Sequence, residues 1–313
     1  SSTPNILSSS ANGNGSTGQG WYDLAIAVSP TNKNQVFVGG VNIWRSNNQG
    51  GGWICVGSGY SSSVPYVHPD IHYFKFQPGT NALYTGSDGG VFKTTNTGTS
   101  WTPLYNNMNI TQYYRISQSE TNSTLLLAGA QDNGTHSKTG TFWDFVLGGD
   151  GMDNAIDPDN NMIMYASSQY GNFRKSVNGG LSFYNMPGLT PAGSGAWVTP
   201  IEIDPSNSST VYIGYDRLWR SNNKGSTWAA TSNQTVGVGN INQIAVAPSN
   251  GQIIYVSIGS NLYKSTNGGS NWSQLFTLSG TSSITDIEIS TIDANHVWIT
   301  RSGYSSGQNV FET

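Results

Sequence analysis

One short pattern recurs along this chain at nearly constant intervals, and it limits the possible folds more than any other feature. Five segments align without gaps: Ser46-Asn-Asn-Gln-Gly-Gly-Gly-Trp53, Thr94-Thr-Asn-Thr-Gly-Thr-Ser-Trp101, Ser176-Val-Asn-Gly-Gly-Leu-Ser-Phe183, Ser221-Asn-Asn-Lys-Gly-Ser-Thr-Trp228 and Ser265-Thr-Asn-Gly-Gly-Ser-Asn-Trp272. The shared box is Ser/Thr-x-Asn-x-Gly-x-x-aromatic. A sixth copy keeps only Gly140 and Trp143. The closing aromatics are 48, 42, 40, 45 and 44 residues apart, the period of a four-stranded propeller blade.

Each repeat carries strand signals around its box. An apolar run precedes it, as in Gln35-Val-Phe-Val-Gly39 and Thr210-Val-Tyr-Ile-Gly214, followed by a second run such as Asn261-Leu-Tyr-Lys-Ser265. Upstream lies a third run that often ends in Pro, as in Ile201-Glu-Ile-Asp-Pro205; Pro cannot donate to a ladder, so it closes the strand. The Asn and Gly residues of the box supply the positive φ angles of a tight hairpin. No helical periodicity is present. The expectation is an all-β, seven-bladed β-propeller of four-stranded blades, with inner strands near 23–29, 71–77, 112–118, 151–157, 197–204, 240–247 and 283–289. The last blade lacks a fourth strand of its own within the sequence: either the chain continues, as Glu312-Thr313 reads like the lead-in to another box, or the leader segment Pro4-Asn-Ile-Leu-Ser8 supplies that strand. Residues 1–20, almost all Ser, Gly, Asn and Thr, read as a flexible leader. Residues 21–313 form a single propeller domain, and the chain is expected to continue past Thr313 into other domains.

The box resembles the Asp-box, or BNR repeat, of sialidases, of the family 74 xyloglucanases and of sortilin-type receptors, with Asn here where that family has Asp. The exchange keeps the side-chain oxygen and removes a charge. The resemblance implies that the box is structural. The cations just before it (Arg45, Lys93, Lys175, Arg220 and Lys264) are therefore poor functional candidates. Sialidase activity is disfavoured, because the arginine triad and the Tyr/Glu pair of that family have no counterparts in suitable positions.

Composition narrows the partners. Only 10% of residues are charged, the net charge is -4, and 13 residues are Lys or Arg. Phosphate recognition needs clustered cations, so nucleic acid is not an expected partner. No run is long and apolar enough to span a membrane. One cysteine, Cys55, excludes an internal disulfide. A charge-poor surface rich in Ser, Thr, Asn and Gly suits a secreted bacterial protein, extracellular or at the cell surface. The repeat-level resemblance to the exported surface propellers of Bacteroidetes-type bacteria implies the same.

In such a fold, the loops between second and third strands and those entering each inner strand open on one axial face. Sorting the chain this way gathers Asp70, His72, Asp88, Gln131, Asp132 and Asp150, with Tyr170, Trp197 and Tyr215 as ring surfaces for a ligand. Four of the 13 Asp residues fall in this set. Two readings follow. One is a binding, adhesion or scaffold module for polysaccharide or protein ligands at the axial face. The alternative is a glycoside hydrolase of the xyloglucanase type, with Asp70 and Asp150 as the catalytic pair. The same Asp residues have a structural reading as turn caps. His68, Asp70 and His72 alternate along one strand and are the metal-ligand candidates. No cofactor is expected, and Ca²⁺ is the ion this carboxylate group would suit.

Overall fold

The computed structural model describes residues 4–106, 108–280, 282–303 and 309–312. The chain divides into two compact units, Ser1–Ile110 and Thr111–Thr313. Among the described residues the regular structure is β apart from one 3₁₀ turn, Gln169–Gly171. Seven antiparallel sheets are present, six of four strands and one of three. They are the blades of a seven-bladed β-propeller, two in the first unit and five in the second.

The first unit contains β1(Ala25–Val28), β2(Val36–Gly39), β3(Ile43–Ser46) and β4(Ile54–Gly57), paired in sequence order. Its second blade is β5(Ile71–Phe76), β6(Leu83–Ser87), β7(Gly90–Thr94) and β8(Thr102–Pro103). One buried cluster joins them, built on Phe37, Ile43, Val67, Ile71, Leu83 and Phe92. Gly39 lets the two sheets approach, since a Cβ there would lie 2.5 Å from Ile71 Cγ2. Residues 4–20, read from composition as flexible, form hydrogen-bonded turns on the first blade. Asn5 N donates to Gly13 O (2.9 Å) and Asn42 Nδ2 donates to Ser8 O (2.9 Å), with Ser8 wholly buried.

The second unit starts with β9(Tyr113–Gln118), β10(Leu126–Ala130), β11(Gly134–Thr139) and β12(Phe142–Leu147), followed by β13(Gly151–Ile156), β14(Met164–Ser168), β15(Asn172–Ser176) and β16(Tyr184–Asn185). These two blades meet backbone to backbone. A Cβ on Gly129 would lie 2.0 Å from Met152 O, and one on Gly151 would lie 2.2 Å from Gly134 O. Next come β17(Ile201–Ile203), β18(Val211–Gly214), β19(Leu218–Ser221) and β20(Ala229–Ala230), then β21(Gln243–Val246), β22(Ile254–Ile258), β23(Asn261–Ser265) and β24(Ser273–Thr277). The final sheet is β25(Ile284–Ile289), β26(Val297–Arg301) and β27(Val310–Glu312). Second strands are the most buried, with Tyr165, Tyr212 and Tyr255 among the largest fully buried side chains.

The five boxes fold into one turn. At the first position Ser46, Thr94, Ser176, Ser221 and Ser265 each accept two backbone N–H bonds, from the residues two and four further on. For Ser221 these are Asn223 N (3.3 Å) and Gly225 N (2.8 Å); the other four copies match within 0.1 Å. The hydroxyl also donates to the box Asn Oδ1 at 2.9–3.0 Å. In the last four copies that oxygen accepts a further backbone N–H. Asn can therefore stand where a carboxylate would, because the work is done by the oxygen. The residue after the Asn adopts positive φ in every copy, Gln49, Thr97, Gly179, Lys224 and Gly268.

The box aromatics are not uniformly buried. Trp228 is 8% exposed, Trp53, Trp101, Phe183 and Trp272 are half-buried, and Trp143 of the degenerate copy is 43% exposed. The lead-in cations are structural. Arg45 donates to Thr97, while Lys93 and Lys264 lie over the rings of Tyr84 and Tyr255.

Two substitutions test this frame by urea unfolding. Trp228→Ala should cost about 3–5 kcal/mol, as a large-to-small change in a packed site. Ser221→Ala, which strips the acceptor from the Gly225 N–H, should cost about 1–3 kcal/mol.

Candidate functional site

The residues gathered from the sequence fall into both units, Asp70, His72 and Asp88 in the first and the others in the second. Each group is described in its own unit.

In the first unit, the loop entering β5 turns sharply at Asp70, whose φ is 65°. Its position is fixed by the first blade, since Asp70 N donates to Val41 O (3.3 Å) and Ile71 N to Gly40 O (2.9 Å). Gln19 Nε2 reaches Asp70 Oδ1 at 2.5 Å and Asp23 Oδ2 at 3.2 Å. Asp88, in the β6–β7 turn, accepts from Tyr22 OH at 2.9 Å and lies 2.6 Å from His72 Nε2. The Tyr22 and His72 rings meet edge to face at 4.9 Å. Asp70 and Asp88 offer carboxylate oxygens within 4.8 Å of one another. Two metal–oxygen bonds of about 2.3–2.6 Å can span that gap, so the pair is spaced to share a Ca²⁺ ion. His68 takes a different part from the metal-ligand alternation expected of it. Its Nδ1 lies 3.2 Å from Pro69 O, and its ring packs under Gly89, where a Cβ would lie 2.1 Å from His68 Cγ.

Sequence reasoning passed over Asp23. It is wholly buried at the entry to β1, the place in its blade that Asp70 holds in the next. Burial pushes its carboxyl above the ordinary carboxylate range, against the hydrogen bonds from Gln19 and with Asp70 and the charge of His72. The signal that could have found it was positional, an Asp just before an inner strand.

In the second unit, Asp150 enters β13. Its Oδ1 accepts the backbone N–H of Asp132 at 2.8 Å, and its own N–H donates to Gln169 Oε1 at 3.2 Å. Asp132 has φ 58° in the β10–β11 turn. Asp150 thus caps the turn of the neighbouring blade, the structural role open to such a residue from sequence. Gln131 Oε1 accepts from Tyr114 OH (3.0 Å), and Tyr114 OH accepts from Trp197 Nε1 (3.2 Å). Trp197 and Tyr170 are 40% and 51% exposed, edge to face with ring centres 5.1 Å apart. Their backbones are linked, Tyr170 N donating to Trp197 O at 3.2 Å. Tyr170 has φ 62°, an uncommon conformation for a bulky residue. Tyr114 was not singled out from sequence, although it enters an inner strand as the other candidates do.

Tyr215 corrects the expectation of an exposed ring. It is 3% exposed and its hydroxyl donates to Gly171 O. Burial pushes its phenol up to about 12. It supports the Tyr170 turn from below and offers no surface to a ligand.

Chemically, the second-unit group is an amphipathic surface. Two rings present faces and edges, while Gln131, Asp150 and Gln169 hold hydrogen-bonding groups fixed beside them. Tyr114→Phe should cost about 0.5–1.5 kcal/mol, because it removes one hydrogen bond in each direction. It should also change the fluorescence of Trp197. Urea unfolding and emission spectra of the variant check both.

No family model matches the chain, and no curated protein matches it. Among solved structures it is similar to the GH74 xyloglucanase from Xanthomonas campestris, with 16% identity and a TM-score of 0.47 over 93% of this chain and 54% of that one. It therefore spans about half the length of that enzyme. YCF48 from Cyanidioschyzon merolae matches at 12% identity and a TM-score of 0.46, over 93% of this chain and 94% of that one. The GH74 enzyme of Niastella koreensis matches at 17% identity and a TM-score of 0.33, over 92% and 56%. Among the described residues no helix is long and apolar enough to cross a membrane. These proteins are β-propellers.

Proposed function

We propose that this propeller is a binding module for an uncharged polysaccharide, held on the Tyr170–Trp197 surface of the second unit. The observation that carries the reading is the pair of exposed rings, held to each other through their backbones and tied to Gln131 through Tyr114. Sugar rings present C–H faces that pack on aromatic surfaces and hydroxyls that need fixed polar partners. The surface supplies both. Side chains already locked by hydrogen bonds lose less freedom on binding, which favours affinity. An exported, cell-surface setting fits this role, because extracellular polysaccharides are found there and a charge-poor surface suits them.

Binding is favoured over hydrolysis by the state of Asp150. Its Oδ1 already accepts the Asp132 N–H, so one oxygen of that carboxylate is engaged in holding a turn. The pairing of Asp70 with Asp150 as acid and base is the competing reading, and turnover decides it.

Affinity electrophoresis in gels containing xyloglucan or mixed-linkage β-glucan tests the proposal. The parent protein should be retarded, and Trp197→Ala should weaken retention by about tenfold, roughly 1.4 kcal/mol. A reducing-sugar assay on the same substrates should show no turnover. Equal retardation of parent and variant, or none of the parent, would sink the proposal; turnover lost in Asp150→Asn with retention intact would make the protein an enzyme.

A further inference from the structure

The second unit has an open cavity of about 720 Å³ between its inner strands, apart from the proposed binding surface. In a chain with few charges, this cavity is lined by carboxylates. Asp153 comes from β13, Glu202 from β17, Asp204 from the end of β17, and Asp286 and Glu288 from β25. Glu120 and Asp159 lie further along its wall, and Arg115 of β9 is the only Lys or Arg among the described lining residues.

Glu202 is at the centre of this arrangement. It lines the cavity and is half-buried. The elements that line the cavity with it bring mostly like charge. β13 brings Asp153, β25 brings Asp286 and Glu288, and its own strand ends in Asp204. β21 lines the cavity with Gln243, Ile244, Ala245 and Val246, none of which titrates. Tyr212, its cross-strand partner on β18, is a buried phenol pushed above its ordinary range by that burial. Arg115 acts on Asp153, which it favours as the anion.

Asp153 also joins two strands mechanically. Its Oδ2 accepts the backbone N–H of Ile201, the residue before Glu202, at 3.0 Å, and its Oδ1 accepts that of Asn154 at 3.0 Å. The repulsion that an ionised Glu202 would exert on Asp153 therefore acts on the hydrogen bond that ties β17 to β13.

We propose that this cavity is a proton-operated latch, in which Glu202 with its proton lets β13 and β17 pack together, and Glu202 without it drives them apart. Burial first, and then Asp153, Glu288, Asp286 and Asp204, raise the Glu202 carboxyl from its ordinary 4.5 to about 8. Native Glu202 thus keeps a proton that the unfolded chain has already released. The stabilisation is complete below about 4.5, declines as pH rises and is gone above about 8. Asp153, raised by burial to about 6, adds a loss of the same sign in the lower part of that range. The upper part, from about 6.5 to 8, reports Glu202.

Hydrogen exchange of the full chain, corrected for the intrinsic pH dependence of amide exchange, tests the latch. Peptides covering β13 and β17 should open more readily with rising pH between about 6.5 and 8, approaching tenfold per pH unit for one linked proton. Glu202→Gln, which imitates the protonated acid, should remove that dependence. Glu288→Gln, which removes a facing charge on an exposed side chain, should move the Glu202 midpoint to lower pH, as read by ¹³C NMR of the carboxyl. A dependence unchanged in Glu202→Gln, or a parent midpoint close to the ordinary 4.5, overturns the proposal.

Discussion

Every intact box in this protein depends on a single hydroxyl. Ser46, Thr94, Ser176, Ser221 and Ser265 end the third strand of their blades, and each holds two N–H groups of the following turn. Without that acceptor the turn would leave buried donors unpaired, a larger loss than one ordinary hydrogen bond. The turn in turn sets the register between third and fourth strands. Fourth strands are as short as two residues in three blades, so they contribute little pairing of their own. A polar side chain at the sheet margin thereby does what a long ladder does elsewhere, and the fold can afford brief outer strands.

The frame was legible because this interaction leaves a linear trace. Ser or Thr, then Asn, then Gly at fixed offsets reflects one acceptor, a second acceptor and a positive φ. Inner strands came from the same periodicity: the expected spans near 71–77 and 283–289 correspond to Ile71–Phe76 and Ile284–Ile289. What sequence could not supply was the depth of each side chain. Tyr215 and Tyr170 look alike as residues flanking glycine-rich turns, yet one is buried under Gly171 and the other is half exposed. The difference arises from which neighbouring blade covers them, a long-range fact with no local signature. Asp23 and Glu202 were hidden for the same reason, since the burial that raises both carboxyls is supplied by residues distant in sequence.

The few charges are used in two contrasting ways. Many carboxylates bind backbone N–H groups, as Asp150 does at Asp132, and Asp157 faces the Lys224 ammonium at 2.6 Å. Around the cavity of the second unit, carboxylates line one wall together instead, and burial penalises the ionised forms of Glu202 and Asp153. A chain only 10% charged has thus concentrated its unfavourable electrostatics in one place, away from the neutral ring surface proposed to bind ligand.

The glycine contact between the third and fourth blades carries a different lesson. Where Gly129 faces Met152 and Gly151 faces Gly134, main chain lies on main chain with no room for a methyl group on either side. Where side chains meet between other blades, as Gly39 meets Ile71, a larger residue is opposed by a side chain and not by main chain. Here no repacking is available, and a blade that brought any larger residue to these positions would hold its partner off. The two blades are therefore matched to each other at this contact, and the unit that could be moved intact in this stretch is the pair.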